Sequence, residues 1–157
     1  MGISVAEMAR RWRQLRIKDK LKDIVIASSE QIVSLNQNQL IGGIGRDGTE
    51  LPYYADVRKS RGYGEMKMEK NPLNEGRYDM NLTGESFRNM KLDIEGDKYD
   101  INTTGHAMDF ENGNPTNQPT SGRIFGLDAD NKNEYRENVL YPDLAAAIEY
   151  ETGVKFK

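Results

Sequence analysis

The sequence predicts an α+β fold: a long N-terminal helix, a small antiparallel β-sheet built around one hairpin, and a C-terminal helix. Three observations predict it. Apolar residues recur at three- and four-residue spacing from Val5 to about Leu40. Residues 92–101 alternate apolar and polar about Gly96-Asp97. A third apolar period opens after Asp128 or Asp130 and runs to Thr152-Gly153. At 157 residues the chain has the size of one domain, read as a helix over 1–41, a loop region over 42–80, a turn with hairpin and loop over 81–127, and a C-terminal helix over 128–152.

The first helix starts at a capping box, Ser4-Val5-Ala6-Glu7: the Ser4 hydroxyl accepts the Glu7 N–H, the Glu7 carboxylate reaches back, and Ile3 staples onto Met8. Val5, Met8, Trp12 and Leu15 form its apolar stripe, and Leu21, Ile24, Ser28, Ile32 and Leu35 continue it after one slip near Ile17. A single helix of that extent is on the order of 50 Å long, more than one small domain covers. Neighbouring subunits are therefore expected to pack on it.

Gly42-Gly43 ends the helix. Gly43, Gly45 and Gly48 match G-x-G-x-x-G, but a dinucleotide fingerprint follows a strand and opens a helix, whereas here Leu51-Pro52-Tyr53 follows. Helix termination and an Asp47-Gly48 turn explain the glycines. Residues 55–77 are polar, with Tyr63, Met66, Met68 and Leu73 as apolar anchors, and read as a long docking loop.

Thr83 is the expected N-cap of a short helical turn in which Leu82 staples onto Phe87, and Phe87 pairs with Met90. The two-residue turn then sets the hairpin register: Glu95 opposite Lys98, Ile94 opposite Tyr99, Asp93 opposite Asp100 and Leu92 opposite Ile101. Apolar pairs fall on one face, and Asp93 with Asp100 is the one unfavourable pair. A helical turn over 105–111, a polar loop over 112–122 and a short extended piece over 123–127 follow. The last helix runs through Tyr135, Val139 and Leu140, with Pro142 kinking or restarting it.

Composition narrows the function. The chain is lean, 36% hydrophobic and 30% charged, with a mean hydropathy of −0.79, so its core is expected to be small or completed by a partner. The absence of Cys excludes disulfides, thiolate metal sites and thiol nucleophiles. No apolar run approaches the roughly 18 residues of a membrane span, and no signal-peptide core is apparent, so a soluble chain is expected, with no membrane partner.

Formal charge is −3, yet residues 1–22 hold seven Lys and Arg against Glu7 and Asp19. Arg10, Arg11, Arg13, Arg16, Lys18, Lys20 and Lys22 form the candidate contact for nucleic acid or for an acidic partner. No aromatic platform for bases accompanies them, so salt bridges to a protein neighbour are at least as well supported, and DNA is the alternative partner. His106 is the single histidine. Asp128-x-Asp130-x-Lys132 begins like a calcium loop but has Lys132 at a ligand position and Val139 where the bidentate Glu belongs. Asn81-Leu82-Thr83 and Asn102-Thr103-Thr104 fit the glycosylation sequon, which carries no meaning outside a secretory context. The residues point to no enzyme, no metal and no cofactor.

In order, the chain presents Asp47-Gly48 with Leu51-Pro52-Tyr53, Thr83-Gly84 with Phe87, Ala107 with Glu111 and Gly113, and Arg123, Phe125, Gly126 and Leu127. This succession resembles the tail-completion and virion-morphogenesis families of neck and tail proteins in tailed bacteriophages, over about residues 31–148. The resemblance implies a non-enzymatic virion component, assembled in the host cytoplasm, that forms a homo-oligomeric ring at the head–tail connector, neck or tail top. Its implied neighbours are other neck, portal or adaptor, or tail proteins.

Overall fold

The computed structural model describes residues 4–53, 63–80, 84–104 and 121–155. The Ile3 and Leu82 staples, Thr83, the turn at 105–111 with His106, Ala107 and Glu111, Gly113, and most of the 112–122 loop lie outside the described residues. The fold is mixed helix with a small two-stranded antiparallel sheet. Contacts sort the chain into two compact units, one of Met1–Ser29 with Asn133–Lys157 and one of Glu30–Lys132.

The expected single N-terminal helix is divided into α1 (Val5–Gln14), α2 (Ile17–Ala27) and α3 (Ser29–Ile41). The first break is at Leu15, which is extended, and Arg16, at φ −95° and ψ 75°. It falls where the apolar period slips, and two non-helical residues reset the phase that a continuous helix would carry off the packed side. The second break is at buried Ser28, whose hydroxyl donates to the Ile24 carbonyl (2.7 Å) and so accepts from the Tyr135 hydroxyl (2.7 Å). Such back-bonding bends helices.

Ser4 caps α1 as expected, accepting the Glu7 N–H at 3.2 Å. The other half of the capping box is replaced: the Glu7 carboxylate turns forward to Arg10 and Arg11.

The same unit ends in a π-helical turn (Arg136–Leu140) running into α8 (Tyr141–Thr152). Pro142 has no N–H for the Asn138 carbonyl; the helix widens there, the Tyr141 N–H bonding the Arg136 carbonyl, and continues. Gly153, at φ +73°, closes α8 through its N–H to the Glu149 carbonyl.

In the second unit α3 runs into the 42–53 loop, with Gly43 at φ +70° past the helix end. Two corrections concern the region after this loop. The stretch read as loop contains α4 (Tyr63–Lys70) and a 3-10 turn (Pro72–Asn74). Its expected apolar anchors Met66, Met68 and Leu73 are exposed, and the buried side chain is Lys67, whose Nζ lies 2.5 Å from the carboxylate of equally buried Asp79. Burial pulls the Lys67 pKa down, against the raising effect of Asp79. Asn71 joins this pair to α3, donating to Asp79 (3.2 Å) and to the Ile41 carbonyl (3.0 Å).

The short turn α5 (Glu85–Arg88) has Gly84, at φ +75°, in the N-cap position expected of Thr83. Strands β1 (Lys91–Glu95) and β2 (Lys98–Asn102) pair in the expected register, extended by Lys91 opposite Asn102. Gly96 has φ +63° and Asp97 is not left-handed, as a type II′ turn requires. Asp93 escapes the expected repulsion: Lys91 at 2.9 Å, with help from Asn102, holds its pKa below the usual carboxylate value. Thr103 donates to the Ser86 carbonyl and clips the hairpin to α5.

The expected extended piece at 123–127 starts instead as a helical turn, α6 (Ser121–Ile124). Ile124 and Phe125 are both buried, which a strand with one solvated face does not achieve with adjacent residues. Helix α7 (Ala129–Tyr135) then begins with Asp128 accepting the Asn131 N–H at 2.8 Å. Leu40, Leu51 and Ile124 are the fully buried apolar centre of this unit, with Ile32, Val33, Tyr78, Met80, Met90, Ile101 and Leu127 around them.

Candidate functional site

Two motif segments far apart in the chain meet in the second unit. Asp47 folds the 46–49 turn on itself: its Oδ1 accepts the Thr49 hydroxyl (2.6 Å) and the Thr49 N–H (3.0 Å). Those two bonds, more than the Arg123 charge, lower its pKa. Gly48, at φ +76°, is the residue that permits the turn. Arg123 then crosses to it, its guanidinium donating to the Thr49 hydroxyl (3.0 Å) with Nε 3.7 Å from Asp47 Oδ2. The Arg123 carbonyl accepts the Arg46 N–H at 2.8 Å.

Gly126 completes the junction from the other side. A Cβ there would sit 2.9 Å from Arg46 Cδ, and its φ of +123° suits glycine alone. The Gly126 carbonyl accepts from Asn36 Nδ2 (3.0 Å) and Gln39 Nε2 (3.1 Å), both on α3. Gln39 Oε1 in turn accepts the Asp128 N–H (2.9 Å) and Asn131 Nδ2 (3.1 Å). One buried amide thus joins α3, the 126–128 segment and the start of α7.

Asp47, Gly48, Arg123, Phe125 and Gly126 are therefore brought together, Phe125 as a buried core residue. Gly84 and Phe87 stand apart in the α5 turn, where the Phe87 carbonyl accepts from Gln37 Nε2 at 2.9 Å. Asp47 Oδ1 is committed to the turn, and the hydrogen bonds of the junction hold segments distant in sequence against one another. Among the described residues no group of three or more His, Asp and Glu side chains is placed to hold a metal, and no helix is long and apolar enough to cross a membrane.

Beside the junction is an open cleft of about 430 Å³. Its floor is Ile32, Leu92, Ile101, Phe125 and Leu127, and its rim carries Arg46 and Lys132.

The basic residues lie along α1, α2 and the break between them, and Arg10, Arg11, Arg16 and Lys20 are engaged by acids of their own unit. Glu7 holds Arg10 (2.8 Å) and Arg11 (3.0 Å), Asp19 holds Arg16 (2.6 Å), and Glu151 holds Lys20 (2.8 Å). The pKa of Glu7 is lowered to about 2, chiefly by the Arg10 hydrogen bonds and then by Arg11. Arg13 donates to the Ala9 carbonyl (3.3 Å), Lys18 is exposed, and Lys22 is half-buried. A second cleft of about 290 Å³ mixes Arg11, Arg16 and Lys20 with Asp19, Asp23 and Glu151, and so has no single sign of charge.

Compared with family models, curated proteins and solved structures, the chain matches none. The resemblance to phage neck and tail proteins rests on motif order in the sequence. Asn36, Gln39 and the Lys67–Asp79 pair escape a reading of hydrophobic pattern. The signal for the amides was present: residues 36 and 39 fall on the Ile32–Leu40 stripe, where a polar side chain must find a buried partner.

Proposed function

We propose that this protein is a non-enzymatic structural component of a tailed-bacteriophage particle, forming a ring at the head–tail connector, neck or tail top. The observation that carries the reading is the junction itself. Asp47-Gly48 and Arg123-Phe125-Gly126 are separate motifs of the resemblance, and they meet through the Arg123–Thr49 and Arg46–Arg123 hydrogen bonds. A motif order that records a shared fold is consistent with such a meeting, while the Gly84 and Phe87 motif stands apart in the α5 turn.

Surface composition adds support. Val5 is 83% exposed, and Trp12, Ile17 and Ile26 are also exposed along α1 and α2. Large apolar side chains in that number suit a subunit that buries them against copies of itself or against neck, portal, adaptor or tail proteins. Light scattering of the purified chain, alone and with its neighbouring virion protein, tests the reading. Closed oligomers are expected; a strictly monomeric species with either sample counts against it.

Nucleic-acid binding through residues 10–22 receives less support, because Arg10, Arg11, Arg16 and Lys20 already face carboxylates. DNA binding is expected to be weak and nearly flat from low to physiological salt. A steep salt slope, lost when Arg10, Arg11, Arg13 and Arg16 are changed to Glu, would instead favour the DNA reading.

A further inference from the structure

The hairpin has two strands and therefore two open edges among the described residues. Register determines which backbone groups those edges offer. Glu95 and Lys98 flank the two-residue turn and exchange both backbone bonds; two residues on, Asp93 with Asp100 and Lys91 with Asn102 do the same. The N–H and C=O of Tyr99 and Ile101 consequently point away from β1. Among the described residues, no backbone hydrogen bond from outside the hairpin reaches either of them.

The cleft beside the junction lies on that edge. Tyr99, Asp100, Ile101 and Asn102 all line it, whereas β1 contributes only Leu92. Consecutive strand residues point to opposite faces, so a cavity touching four in a row looks onto the edge of β2. Its apolar floor is continuous with the Leu92–Ile101 face of the hairpin. Arg46 and Lys132 at the rim form no ion pair among the described residues, unlike Arg10, Arg11, Arg16 and Lys20 of the first unit. Asp100 is the single acid in the wall.

We propose that this cleft receives an extended acidic segment of another protein, which adds as a strand to the outer edge of β2. Its backbone pairs with Tyr99 and Ile101, alternate apolar side chains enter the floor, and its carboxylates face Arg46 and Lys132. Main-chain bonds supply affinity and the side-chain pockets select the sequence, as in other strand-addition sites. Open edges of this kind are otherwise covered or blunted. The inference depends on the hairpin and its rim charges, and holds or fails independently of the virion role.

The test uses the full chain, labelled with nitrogen-15, titrated with a blocked heptapeptide alternating Glu and Val. Shift changes and slowed hydrogen exchange are expected at the Tyr99 and Ile101 amides. Replacing Glu by Lys in the peptide, or making Arg46→Glu with Lys132→Glu in the protein, weakens binding by about fivefold or more. Methylating alternate peptide nitrogens abolishes binding in one of the two phases, a control that needs no protein variant. Equal binding by both methylated peptides, or no response at Tyr99 and Ile101, overturns the proposal. Protection of those amides in the peptide-free protein that rises with its own concentration would assign the edge to a second copy, and overturns it too.

Discussion

Replacing Gln39 by Leu should loosen the junction by an amount that the hydrogen bonds allow to be worked out. Gln39 is only 5% exposed, and Leu fills nearly the same space, so the cavity contribution is small. The Gly126 carbonyl keeps its bond from Asn36 and is not orphaned. The Asp128 N–H loses its acceptor at the buried side of the α7 cap, which costs about 1–3 kcal/mol, while half-exposed Asn131 can turn to water. A loss of about 1–3 kcal/mol follows. In urea, with a slope of about 2 kcal/mol/M, the midpoint should fall by roughly 0.5–1.5 M at unchanged slope. Asn36→Leu is the matched control: Asn36 Oδ1 has no hydrogen-bond partner, and the carbonyl that its amide serves retains Gln39. It should cost about 1 kcal/mol or less. Unfolding followed by far-UV circular dichroism measures both, and equal midpoints for the two variants, or a Gln39→Leu effect below about 0.5 kcal/mol, would refute the clamp.

Further outcomes follow from the same geometry. Gly126→Ala should lose about 1–3 kcal/mol in urea unfolding, because the new Cβ meets Arg46 at 2.9 Å in a glycine-only conformation. Asp79→Asn removes the charge 2.5 Å from buried Lys67 and should cost about 3–5 kcal/mol, whereas Lys67→Met with Asp79→Leu should recover most of it. Glu7, with its pKa lowered to about 2 from 4.5, stabilises the folded state fully above about pH 4.5. That contribution is lost as pH falls toward 2, so an acid titration of helicity should show a shallower low-pH loss in Glu7→Gln than in the parent chain.

The parts legible in sequence are those set by neighbours in the chain. The hairpin register follows from a two-residue turn, the Ser4 and Gly153 helix ends follow from local capping chemistry and are where the sequence puts them, and of the two expected caps Asp128 and Asp130 the structure uses Asp128. The slip at Ile17 was visible, but its outcome as a break at Leu15–Arg16 depended on packing phase. Helix α4 was missed because its buried side chain is Lys67, and a hydrophobic pattern cannot mark a face whose inward residue is charged. The junction's parts had local signals, the Asp47-Gly48 turn and the amides on the Ile32–Leu40 stripe, but their pairing had none. Arg123 reaches Thr49, and Gln39 reaches Asp128, across separations that only the folded chain closes.

The most direct measurement for the virion reading is electron microscopy of particles from the lysate in which the chain is made, with a gold-labelled antibody against it. The account predicts label at the junction of head and tail on most particles. Abundant chain in the lysate with none on any particle would contradict it.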